Sequence, residues 1–144
     1  MTNATQLYNR LKDLSHRHTS LKEKFEEFFA ATTYLSSDQS PIQGITFEQH
    51  LDEGYFKASF CGQVFQFRFS LALDQNGSSR GRVSFFGSDP ADPSKPKLIS
   101  TFMFSGTGAA DVEKPEDIDD PIRVNDDVGA IYLVCNCIYQ GLVQ

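Results

Sequence analysis

Few residues in this sequence have side chains that do chemistry, and their spacing decides what each could do. His16-Arg17-His18 sets two imidazoles at i and i+2. On a helix those positions diverge, so they do not form a metal pair. His18 falls on an apolar stripe and reads as a packing histidine whose protonation would make that packing pH-sensitive. Cys135 and Cys137 repeat the i, i+2 spacing, and no Cys–His set has the intervals of a zinc site. They read as small apolar core residues. A cysteine nucleophile with a histidine base would need Cys61 and His50, which offer nothing beyond the two residue types.

Gly106 to Asp111, GTGAAD, begins like a dinucleotide loop after a strand. Its third glycine is missing, no helix follows directly, and the acids from Asp111 to Asp120 would repel a phosphate. The acidic run 117–127, DIDDPIRVNDD, has proline and apolar residues where a calcium loop needs oxygen donors. Asp74-Gln75-Asn76-Gly77 starts like such a loop but sits between two strand patterns, so it reads as a turn. These readings assign no catalytic residue, metal or cofactor.

The groups best placed to meet another molecule are set by a strand. From Tyr55 to Leu73 the sequence runs YFKASFCGQVFQFRFSLAL, with Phe65, Phe67, Phe69, Leu71 and Leu73 on alternate residues. A period of two puts these on one face of a sheet and the intervening residues on the other. Burying the Phe face leaves Glu48, His50, Lys57, Gln66, Arg68 and Arg82 on the opposite face, joined by Ser59, Ser70, Ser84, Tyr55 and Phe86. That mixture suits either an ion-pair ladder across strands or the docking of a partner.

Five strands are expected. Strand one runs from Ile45 toward Leu51, strand two over Tyr55–Phe60, and strand three is the Phe-rich run. Strand four covers Arg82–Phe86 and strand five Leu98–Phe104, with Ile99, Thr101 and Met103 on its other face. Cys61-Gly62 and Asn76-Gly77 signal tight hairpins. Residues 89–96, with three prolines, read as a loop. Short turns imply an antiparallel meander, and a one-sided apolar pattern fits such a sheet.

Ahead of the sheet, Asn3 and Gln6 have capping-box spacing. Leu7, Leu11, Leu14, His18, Leu21, Phe25 and Phe28 then follow at alternating steps of four and three, a heptad interval. A helix from residue 4 to 31 would be about 42 Å long, against about 33 Å for a ten-residue strand. It either overhangs the sheet or breaks at Thr19-Ser20, where Ser20 and Glu23 repeat the capping-box spacing. Overhanging leucines need a cover. A second copy of the chain, paired through Leu7, Leu11, Leu14 and His18, is one.

Residues 106–124 are acidic and proline-containing and read as an unpacked, flexible loop. A final helix, 125–144, shows an apolar stripe at Val128, Ile131, Tyr132, Cys135, Ile138, Tyr139 and Leu142. The expected fold is thus a single α+β domain over 1–144, in two layers. A helical segment (1–35) and the last helix cover the Phe face of a five-stranded antiparallel meander (44–105).

Composition narrows function further. The net charge of −6 is local: residues 1–105 hold 11 basic and 11 acidic side chains, and residues 106–144 hold 2 and 8. No basic footprint for nucleic acid is present. Three cysteines without a framework, no signal-peptide pattern and no membrane-span pattern point to a reducing, cytoplasmic compartment. In size and acidity the chain is similar to the small acidic secretion chaperones, which also pair helices with an antiparallel sheet. The helix those proteins carry between strands has no counterpart here. The expectation is a non-enzymatic protein-binding protein: an adaptor, an inhibitor or immunity protein, or a secretion-chaperone-like protein. The alternative is a Phe-lined pocket for an apolar small molecule, or an enzyme using His50 with Arg68 or Glu48.

Overall fold

The computed structural model describes residues 3–89 and 91–143. Pro90, one of the three prolines of the expected 89–96 loop, lies outside the described residues. So do the first two residues of the N-terminal segment and the last of the final helix.

Helix α1 spans Ala4–Thr32. Asn3 Oδ1 accepts from the Gln6 backbone N–H at 2.8 Å, and Gln6 Oε1 accepts from the Asn3 N–H at 3.1 Å, which closes the capping box. The helix runs unbroken through Thr19-Ser20, where the Thr19 hydroxyl donates back to the Ser15 carbonyl. A 3-10 turn at Thr33–Ser36 follows.

The strands are β1 (Thr46–His50), β2 (Tyr55–Phe60), β3 (Gln63–Leu73), β4 (Ser79–Asp89) and β5 (Asp92–Phe104). They form one antiparallel sheet in sequential order, the expected meander. Cys61 and Gly62 both have positive φ (53° and 80°) and join β2 to β3 in a two-residue turn whose twist suits the flanking strands. The β3–β4 connection is longer than the Asn-Gly dipeptide suggested. Asp74 closes it by accepting from the N–H of Asn76 and of Ser78, 2.9 Å each, while its other oxygen accepts from Arg80 Nε at 3.1 Å. These bonds, led by that from Ser78, hold the Asp74 carboxyl below its ordinary pKa.

Helix α2 spans Asp127–Val143, and both helices pack on the Phe face. Phe28 touches Phe56, Phe67 and Phe102, with ring centroids 5.7, 6.1 and 6.1 Å away. Phe56 stacks on Phe67 at 4.9 Å. Full burial of each ring contributes about 1.5–3 kcal/mol relative to exposure. Gly81 belongs to this packing: a Cβ there would lie 2.1 Å from the Phe104 ring.

Three local expectations need correction. Residues 92–96 are not loop but the start of β5, since Gly87 pairs with Lys97, Ser88 with Pro96 and Asp89 with Asp92. β5 is an edge strand, where proline's missing N–H costs no ladder bond. Its register shifts between Phe85 and Phe86, which turns Ile99 toward Phe65 and leaves Leu98 opposite Phe86. The segment 106–124 is not unpacked at its ends. Ile122 is 3% exposed and Val124 fully buried; Ala110 N–H donates to the Ile122 carbonyl and Val124 N–H to that of Gly108. On α2 the buried set is Gly129, Ala130, Leu133, Val134, Cys137 and Ile138, whereas Val128, Tyr139 and Leu142 of the expected stripe are exposed. The helix is apolar on most sides, and its small residues choose the inner face. A Cβ on Gly141 would sit 2.7 Å from Phe65, and one on Gly129 only 2.4 Å from the Arg123 carbonyl oxygen.

Candidate functional site

The helices cover one face of the sheet, and cross-strand register arranges the other into rows. His50 pairs with Tyr55, Tyr55 with Arg68, and Arg68 with Ser84. Because β2 lies between β1 and β3, Tyr55 receives a neighbour from each side. The His50 ring stacks on it with centroids 4.7 Å apart and planes 13° from parallel. The Arg68 guanidinium lies 4.6 Å from its centre, a cation–π contact. With the Gln66 amide oxygen turned toward the guanidinium, it accepts from Arg68 Nε and Nη2 at 3.1 Å each. These contacts hold Arg68 in place and leave it exposed.

The next row runs Glu48, Lys57, Gln66, Phe86 and Leu98. Glu48 lies 3.9 Å from Lys57 Nζ and 3.4 Å from His50 Nε2. The His50 contact has ion-pair distance but not hydrogen-bond geometry, so the buried Nε2 atom has no hydrogen-bond partner among the described residues. On the far side of Arg68, Arg82 Nε donates to the Ser70 hydroxyl at 3.1 Å. Arg68 and Arg82 sit diagonally across β3 and β4, and neither pairs with a carboxylate among the described residues.

The structure therefore places Glu48, His50, Lys57, Gln66, Arg68 and Arg82 on one face and links five of them through direct contacts around Tyr55. Arg82 stands apart with Ser70. Phe86, expected on this face, is half-buried there beside two apolar residues the sequence reading did not assign to it, Val64 and Leu98, 47% and 54% exposed. Val64 was legible from β3 alternation. Leu98 was not, because the shift in β5 register reverses which face it takes.

The groups considered for chemistry elsewhere stay apart. Among the described residues no three His, Cys, Asp or Glu side chains converge as a metal site. Cys137 is buried, and burial pushes its thiol up to about 12; Cys135 is raised for the same reason. Gly106 to Asp111 folds back on β5, with Asp111 Oδ1 accepting from the Met103 N–H at 2.8 Å. No described helix is long and apolar enough to cross a membrane.

Two spaces adjoin the helices. One, of about 100 Å³, lies beside Phe65, Gly87, Ile99 and Gly141. The other is an open groove of about 430 Å³ lined by Ala30, Ala31, Thr33, Tyr34, Asp127 and Ile131. Its lining comes from the helix ends, not the strands, so it lies outside the Phe core. No known protein family matches this chain, nor does any curated protein or solved structure.

Proposed function

We propose that this chain is a non-enzymatic protein-binding module, of adaptor, inhibitor or chaperone type, that receives its partner on the uncovered sheet face. One observation carries the reading: a Tyr55 ring held between His50 and Arg68 adjoins an apolar corner formed by exposed Val64 and Leu98 and half-buried Phe86. Aromatic and arginine side chains are the usual anchors of protein interfaces. A pre-stacked arginine loses less freedom when it binds. Arg68 and Arg82, which meet no carboxylate among the described residues, favour a partner whose contact surface carries carboxylates. We place the protein in the cytoplasm; the three free thiols, with Cys61 exposed, support a reducing compartment.

The test is quantitative capture from host extract with wild type, Arg68→Glu and Leu98→Asp, each checked for fold by circular dichroism. We expect a partner retained by wild type and reduced at least tenfold by both variants (roughly the loss of one anchor). Equal retention by all three would end the proposal.

A second reading, binding of an apolar small molecule, has the groove beside Tyr34 and Ile131 in its favour, whose volume lies in the range of ligand sites. Filling it with Ala31→Trp should abolish any thermal shift from a panel of aromatic ligands. A shift that survives the substitution would place the ligand elsewhere.

A further inference from the structure

The stripe on α1 is covered for only half its length. Leu21, Phe25, Phe28 and Thr32 are buried. Ahead of them, the His18 ring touches Phe69 at 5.5 Å, and Arg10 Nη2 donates to the Gly77 carbonyl in the β3–β4 turn. Leu7 and Leu11 lie on the same stripe, yet they are 49% and 57% exposed, and Tyr8 beside them is 67% exposed. Twenty-nine residues make a helix of about 43 Å, and its first turns overhang the sheet. The result is an apolar ledge on a well-capped helix.

Charge selects what can cover it. Residues 4–20 carry Arg10, Lys12 and Arg17 against the single acid Asp13, all exposed, within a chain of net charge −6. In heptad terms Arg10 and Arg17 share one flank of the leucine seam, and Tyr8 and Ser15 share the other. A second copy aligned in parallel would set Arg17 against Lys22. An antiparallel copy would set arginine against arginine. In neither orientation does a carboxylate reach the seam, so symmetric self-pairing brings like charges together.

We propose that the overhanging half of α1 docks an acidic amphipathic helix of a partner protein. The partner's apolar residues cover Leu7, Leu11 and Leu14, and its flanking carboxylates meet Arg10 and Arg17. This surface belongs to the helix layer and shares no residue with the sheet-face site. The proposal stands whether or not the sheet face binds anything.

Two fluorescent 21-residue peptides test it by anisotropy against the full chain. Both carry leucines at the four-three interval, one with glutamate and the other with lysine at the flanking positions. We expect the glutamate peptide to bind at least about tenfold tighter than the lysine peptide and to weaken as salt rises. Leu11→Asp should abolish binding, and Arg17→Glu should reverse the peptide preference, while Arg68→Glu on the sheet should change neither. Equal affinity for the two peptides, or none for either, would overturn the proposal. So would sedimentation as a dimer that Leu11→Asp dissociates, which makes a second copy the occupant. Binding to anionic phosphatidylserine vesicles in place of the glutamate peptide would do the same for a lipid surface.

Discussion

The two halves of α1 have the same spacing and opposite fates. From Leu21 to Thr32 the stripe meets Phe56, Phe67, Phe69 and Phe102, and its inward residues are buried. From Leu7 to Leu11 the same four-three interval runs past the end of the sheet and stays open. Periodicity fixes which side of a helix is apolar. Whether that side is covered depends on how far the opposing layer reaches, and the reach is set by strand lengths and turns elsewhere in the chain. Apolar content alone would rank the two halves alike.

The largest effect should separate them. Phe28→Ala removes a fully buried ring from the centre of the helix–sheet contact and should cost about 3–5 kcal/mol in urea unfolding. Leu11→Ala should stay within about 0.5 kcal/mol, since an exposed site loses little. Similar losses at both sites would mean that the first half is covered too.

A smaller effect is expected where a side chain must not exist. Gly81→Ala pushes a methyl into the Phe104 ring and should cost about 1–3 kcal/mol through overpacking. A neutral outcome would show that Phe104 can move off β4 freely.

The smallest effect concerns the turn under the overhang. Asp74 has its pKa depressed in the folded state, so its contribution is present above the ordinary value of 3.8 and is lost as pH falls through the lower folded value. Thermal unfolding followed from pH 5 to pH 2 should therefore show wild type losing more stability than Asp74→Asn. Parallel curves would mean the bonds from Ser78 and Asn76 do not favour the carboxylate.

The sequence made much of this fold legible, for physical reasons that can be named. Alternation over Val64–Phe69 fixed the buried face of β3, although Leu71 is only partly buried and Leu73 is 49% exposed, and the neighbouring strands inherited it through short turns. The capping box fixed where α1 begins. The inner face of α2 was hidden because glycine and alanine choose it by closeness of approach, while larger apolar residues attract attention to the outer side. Leu98 was hidden because a register shift carries no signature in the alternation around it. The candidate face was legible as a set of residues. The stacking of His50 and Arg68 on Tyr55 was not, since it depends on which residues stand opposite across three strands.

Native-state hydrogen exchange along α1, at dilute protein concentration, tests the account most directly. The helix should show protection that rises from the first turns to Leu21 and is greatest around Phe25 and Phe28, because the second half is buried against the sheet while the first is tied to it only through Arg10 and His18. Protection at Leu7 and Leu11 equal to that at Phe25 would contradict it.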